Sequence, residues 1–176
     1  TRTPEFVANN LRENHQINVT ADNVYTTALA TADYLDKVAG DRRRVYVVGE
    51  SGLRKALEQR HFQLTDQQPD YVVVGLDSQV TYAKLETAVL LIRAGATFIG
   101  TNADSNLPNE RGMVPGAGSL VKLVEYATQQ KPIMIGKPEA TIMKLALAKA
   151  DLTRDQVVMV GDNYNTDIRA AINTGM

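Results

Sequence analysis

No cysteine occurs anywhere in the 176 residues, which excludes a disulfide frame, a thiolate catalyst and a cysteine metal site. That absence suits a reducing compartment, and the cytoplasm is the expected location. No apolar run approaches the roughly 20 residues needed to span a bilayer, and no N-terminal stretch resembles a signal peptide, so no membrane partner is expected. Net charge is missing as well: nineteen Lys and Arg against twenty Asp and Glu leave −1, so no global field gathers nucleic acid. The one basic cluster, Arg42-Arg43-Arg44, precedes an apolar run and reads as a solvated strand start. Internal repeats and low-complexity segments are also lacking.

What is present is ordinary globular composition, 44% apolar and 22% charged, enough for one domain with a sizeable core or two small ones. Thr3-Pro4 reads as an N-cap with proline at the first helical position. A second helix is predicted over 22–35, with Val24, Ala28, Ala32 and Leu35 on its buried stripe. Strands are predicted at Val45–Val48, His61–Leu64, Tyr71–Gly75, Thr97–Gly100 and Ile133–Ile135, with helices between them through Leu53–Leu57, 82–94, 120–127 and 139–150. This alternation argues for an α/β class with mostly parallel strands. The connection from 101 to 118 is long for a compact domain, as functional or disordered loops are. Its Pro115-Gly116-Ala117-Gly118-Ser119 end fits an anion nest or, as we favour, a plain helix start.

Two stretches carry chemistry. In Val157-Val158-Met159-Val160-Gly161-Asp162-Asn163-Tyr164-Asn165-Thr166-Asp167-Ile168, an apolar strand is expected to run into a turn with two carboxylates and then a helix. Such a turn lies at the carboxyl end of a parallel sheet, where α/β proteins bind ligands, and Asp167 falls near a helix N-terminus. Two acids there suit Mg²⁺ and phosphate, because magnesium takes one or two carboxylates together with waters and substrate oxygens. The same residues also fit a solvated turn with a helix-capping aspartate. In Gly136-Lys137-Pro138-Glu139, a lysine follows a strand and points to the same edge; a free surface lysine is the plainer reading. Beside two acids, its ammonium would neutralise phosphate charge, as phosphoryl transfer requires.

The order Gly-Lys-Pro, then Val-Gly-Asp-Asn about 25 residues later, resembles motifs III and IV of the haloacid dehalogenase superfamily, in its NagD-like, p-nitrophenyl phosphatase branch. Val24–Leu35, Tyr46–Glu50, Gly100–Asp104 and Pro115–Ser119 resemble that branch too, so the likeness covers essentially the whole chain. It implies an α/β fold, a Rossmann-like parallel-sheet core, incomplete here, with an inserted α/β cap of the C2 type. The expected division is core at 1–50, cap at 51–132 and core again at 133–176, with hinges near Glu50-Ser51 and Lys131-Pro132. The implied roles are catalytic for Lys137 and Asp167, Mg²⁺ binding for Asp162, and substrate contact for Asn106, Leu107 and Asn163. Leu107 fits a leaving-group contact and an ordinary loop anchor equally, and its apolar side chain argues against a charged leaving group.

One departure is severe. Members of that family begin with an Asp-x-Asp strand carrying the nucleophile and a Thr-Asn-Asn motif, and this sequence has neither. Both ends therefore read as cut from something longer, and the half-core is expected to be weakly stable and prone to pair with itself. The expected function is Mg²⁺-dependent hydrolysis of a small phosphomonoester, with the fragment alone inert. A non-catalytic phospho-ligand-binding module is the second reading. A receiver-type flavodoxin-like domain is the third, and it leaves the 101–118 loop without explanation.

Overall fold

The computed structural model describes residues 2–176. Helix α1 (Pro4–His15) starts as expected, with Thr3 Oγ1 accepting the Phe6 amide at 3.4 Å, but buries only Ala8. A 3-10 turn at Ala21–Asn23 then precedes α2 (Thr27–Val38), so the helix predicted from 22 begins five residues later. The delay follows from capping, since Thr26 turns its side chain onto the Leu29 amide. Val24, Ala28, Ala32 and Leu35 are all buried, as their spacing required.

Five strands form one sheet: β1 (Arg44–Val48), β2 (Gln63–Leu64), β3 (Tyr71–Val74), β4 (Thr97–Gly100) and β7 (Ile133–Met134). Their order is β2-β1-β3-β4-β7 and every pairing is parallel. Helix α3 (Ser51–Gln59) follows β1, α4 (Tyr82–Arg93) joins β3 to β4, and α5 (Ala117–Thr128) precedes β7. Alternate side chains go to opposite faces. Val45, Val47, Tyr71, Val73 and Ile99 pack under Leu35, Leu53, Leu57, Ile142 and Leu145, the last two from α6 (Ala140–Ala150). Val48, Val72, Val74 and Phe98 pack under Ala88, Ile92, Val121 and Val124. A sheet covered on both faces explains why these strands are continuous apolar runs.

The sheet joins strands from all three expected parts of the chain, because β1 pairs with β3 and β7 with β4. The basic cluster is dispersed by pairing: Arg43 lies 2.6 Å from Asp36, and Arg42 and Arg44 both reach Asp70, at 3.7 and 4.0 Å.

Two expectations need correction. The 101–118 connection is not without structure: β5 (Asn106–Asn109) and β6 (Gly112–Pro115) form an antiparallel hairpin, with Leu107 opposite Val114. Val157–Val160 is not a strand. Val157 has extended backbone angles (φ −128°, ψ 140°), yet no described strand offers this segment a ladder. Val158 and Val160 are accordingly 85% and 87% exposed. An apolar pattern is not enough, because a strand also needs a neighbouring backbone to bond.

Candidate active site

Strand β7 delivers Lys137. Ile135 continues the parallel ladder by donating its amide to Gly100 O at 3.0 Å, and Gly136 then passes against the carbonyl of Thr101. A Cβ at position 136 would collide with that oxygen, so glycine lets the end of β7 and the segment after β4 lie backbone to backbone. Lys137 thus emerges, half-buried, at the carboxyl edge of the sheet.

The second half comes from the chain end. After the extended segment, the backbone forms one π-helical turn over Tyr164–Ile168 and continues as α7 (Arg169–Thr174). Asn163 caps this turn, its Oδ1 accepting the Asn165 amide at 2.9 Å. The turn points Asp167 inward, where the residue is only 5% exposed. Its Oδ1 accepts from Lys137 Nζ in a tight ion pair, and its Oδ2 accepts the Asn163 amide at 3.2 Å. Asn173 Nδ2 donates to Pro138 O at 2.8 Å and ties α7 to the segment carrying Lys137. Gly161 lies directly on the Asp167 carboxylate, with its Cβ position 2.8 Å from Oδ2.

Burial by itself would raise the pKa of Asp167. The Lys137 hydrogen bond, the Asn163 amide and the Lys137 charge outweigh it and hold the carboxyl below its ordinary value. Asp162 directly precedes the Asn163 cap of the turn that carries Asp167, and its own side chain is exposed. Lys137 and Asp167 are paired, the Asn163 amide joins them through Asp167, and Asp162 adjoins Asn163 along the chain. Asn106 and Leu107 do not join them. They sit on β5 of the hairpin, and no hydrogen bond or ion pair among the described residues links them to Lys137 or the acids. Their connection runs along the chain through Thr101–Ser105.

The nest alternative at 115–119 also resolves. Gly116 and Gly118 donate their amides to Ser105 O and Asp104 O, both at 2.9 Å, so this segment spends its donors on its own chain as a helix start. Among the described residues no group of three or more His, Cys, Asp or Glu could hold a metal. The exposed Asp162 carboxylate still fits a hard, oxygen-seeking cation that keeps most of its waters. What the sequence reading missed were the two glycines. Each directly precedes a chemical residue, and that adjacency was the signal.

The profile of haloacid dehalogenase-like hydrolases matches residues 1–175, and the chain belongs to that family. It is 48% identical over 177 residues to acid sugar phosphatase of Staphylococcus aureus (strain USA300), covering 100% of this chain and 68% of that protein. Among solved structures, a thermostable NPPase from Geobacillus stearothermophilus superposes with a TM-score of 0.95 at 44% identity, covering 100% of this chain and 70% of that one. NagD from E. coli K-12 superposes at 0.91 with 34% identity, covering 100% and 68%. A glycerol phosphate phosphatase from Mycobacterium tuberculosis, solved in complex with calcium, superposes at 0.92 with 34% identity, covering 100% and 51%. The chain is thus a hydrolase of the NagD-like branch.

Proposed function

We propose that this chain forms part of a Mg²⁺-dependent phosphatase acting on a small phosphorylated substrate such as a sugar phosphate. The observation that carries the reading is the Lys137–Asp167 pair beyond the carboxyl end of β7, with Asp162 one residue before the Asn163 cap of the turn that carries Asp167. Lys137 would neutralise a phosphoryl oxygen, while Asp167, itself held by the Asn163 amide, keeps that ammonium in place. Asp162 is the residue to ligate Mg²⁺, since both oxygens of Asp167 are already engaged. Bound there, the ion would supply positive charge where negative charge develops on phosphorus-bound oxygens.

The attacking carboxylate of an aspartyl-phosphate route is supplied from outside these 176 residues in this reading. Asn106 and Leu107 would meet the leaving group from the hairpin. The covering unit is taken to include β1 and β7 along with 51–132, because these strands pair with β3 and β4. No described helix is long and apolar enough to cross a membrane, and a cytoplasmic location with no nucleic-acid partner is part of the proposal.

The full-length enzyme should hydrolyse p-nitrophenyl phosphate with Mg²⁺ and lose about 10²-fold or more in kcat on Asp162→Ala. Equal rates in EDTA, or in that variant, reject the reading.

A further inference from the structure

Strands β4 and β7 are parallel neighbours, so the segments that follow them leave the sheet side by side at its carboxyl edge. Thr101-Asn102 follows β4 as Ile135-Gly136-Lys137 follows β7. The two backbones meet just before Lys137. A Cβ on Gly136 would strike the Thr101 carbonyl and lie 3.3 Å from Asn102 Cα, with the Thr27 methyl group 3.2 Å away on α2. Neighbouring strands are about 5 Å apart, which places Asn102 on the order of one strand spacing from Lys137.

Asn102 uses only half of its side-chain amide. Its Oδ1 accepts the Asp104 backbone amide and builds an Asx turn. Its Nδ2, a donor of two hydrogen bonds, has no acceptor among the described residues, although the residue is half-buried. An asparagine kept for the turn alone could equally be an aspartate, which offers the same oxygen. What aspartate lacks is the donor, and the donor is the part of Asn102 that remains uncommitted.

The turn is fixed from its other side by the start of α5. Gly118 donates its amide to Asp104 O and Gly116 to Ser105 O, both at 2.9 Å, and Ser119 Oγ donates to Ser105 O. Side chains at 116 and 118 would collide with the carbonyls of Asp104 and Ala103, so the two glycines let α5 press directly on the turn. A donor held this way loses little freedom when it meets a ligand. The Lys137 ammonium, one strand away, is already aligned by Asp167. An ammonium and an uncommitted amide N–H on adjacent strand ends make a two-point grip for a group with several acceptor oxygens. We propose that Asn102 is a second phosphoryl-binding residue, its Nδ2 donating to an oxygen of the same phosphoryl group that Lys137 neutralises. The inference rests on the phosphatase reading and adds to it a contact from the β4 side of the site.

The test uses the full-length enzyme with p-nitrophenyl phosphate as substrate and inorganic phosphate as inhibitor. Asn102→Ser keeps an oxygen for the Asp104 amide and adds no charge, but ends short of the Nδ2 position. Both KM and the phosphate inhibition constant should rise about three- to tenfold in it, the loss of one hydrogen bond, while the melting temperature stays at the parent value. Asn102→Asp, isosteric and without the donor, should raise both further, because it sets a negative charge against the phosphoryl oxygens. A purely structural asparagine moves neither constant in the serine variant, and that result overturns the phosphoryl contact while leaving the phosphatase standing. Should Asn102→Ser melt early, Asn102→Asp at high sodium chloride decides the matter. A raised KM that persists once salt screens the added charge is the missing hydrogen bond, and one that returns to the parent value overturns the contact. No hydrolysis by the unaltered enzyme overturns the phosphatase reading itself, and this inference with it.

Discussion

The Lys137 ammonium and the Asp167 carboxylate, thirty residues apart in sequence, form an ion pair in which the acid is almost fully buried and the lysine half-exposed. Removing the cation would leave a buried charge with only the Asn163 amide to answer it. Lys137→Met should therefore cost about 1–3 kcal/mol of stability as well as activity. Urea unfolding checks the first effect, and a midpoint equal to that of the parent chain would show the pair to be energetically idle.

The same pair sets an acid limb. Because Asp167 has a lowered pKa in the folded state, its contribution is present above the ordinary carboxylate range and is lost as pH falls through the folded value. Asp167→Asn should be less stable than the parent at neutral pH, and the gap should close as the solution is acidified. Thermal melts across that window measure it. A gap that stays constant with pH would mean that Asp167 titrates normally.

Gly161 lies against Asp167 with no space for a methyl group. Gly161→Ala should displace the π-helical turn and cost about 1–3 kcal/mol by overpacking. Loss of the Lys137–Asp167 contact should follow, seen as a change in the Asp167 carboxyl resonance on NMR titration. An unaltered resonance together with unaltered stability would count against the tight fit.

Val158 and Val160, two residues apart in a segment that joins no described sheet, expose nearly all of their side chains. Unpaired apolar backbone of this kind associates with its like. The 176-residue chain should self-associate at raised concentration, and Val158→Lys with Val160→Lys should shift it toward monomer in analytical ultracentrifugation. Equal sedimentation of parent and double variant would remove this segment as the cause.

Periodicity in the sequence sufficed for much of this molecule. The apolar stretches at Val45–Val48 and Tyr71–Val74 announced buried strands, because a strand covered on both faces has no room for polar residues. The Thr3-Pro4 helix start is equally local, a matter of one side chain and the next few amides. The meeting of Lys137 with Asp167 was expected because both were read as following strand ends; only Lys137 follows one, and Asp167 reaches it from the π-helical turn instead.

Other features were not in the sequence at all. The hairpin at 106–115 arises from pairing across a tight turn within a stretch rich in Gly, Pro and Asn, a composition that also describes an open loop. Val157–Val160 had a strand's pattern and lacked a partner, and pairing is a property of two segments. The strand order, and with it the neighbouring ends of β4 and β7 that lead into Asn102 and Lys137, follows from which faces the helices cover. Local residue types determined the elements and the identity of the chemical groups. Only the packed sheet decided which of them became neighbours, because those contacts form between residues far apart along the chain.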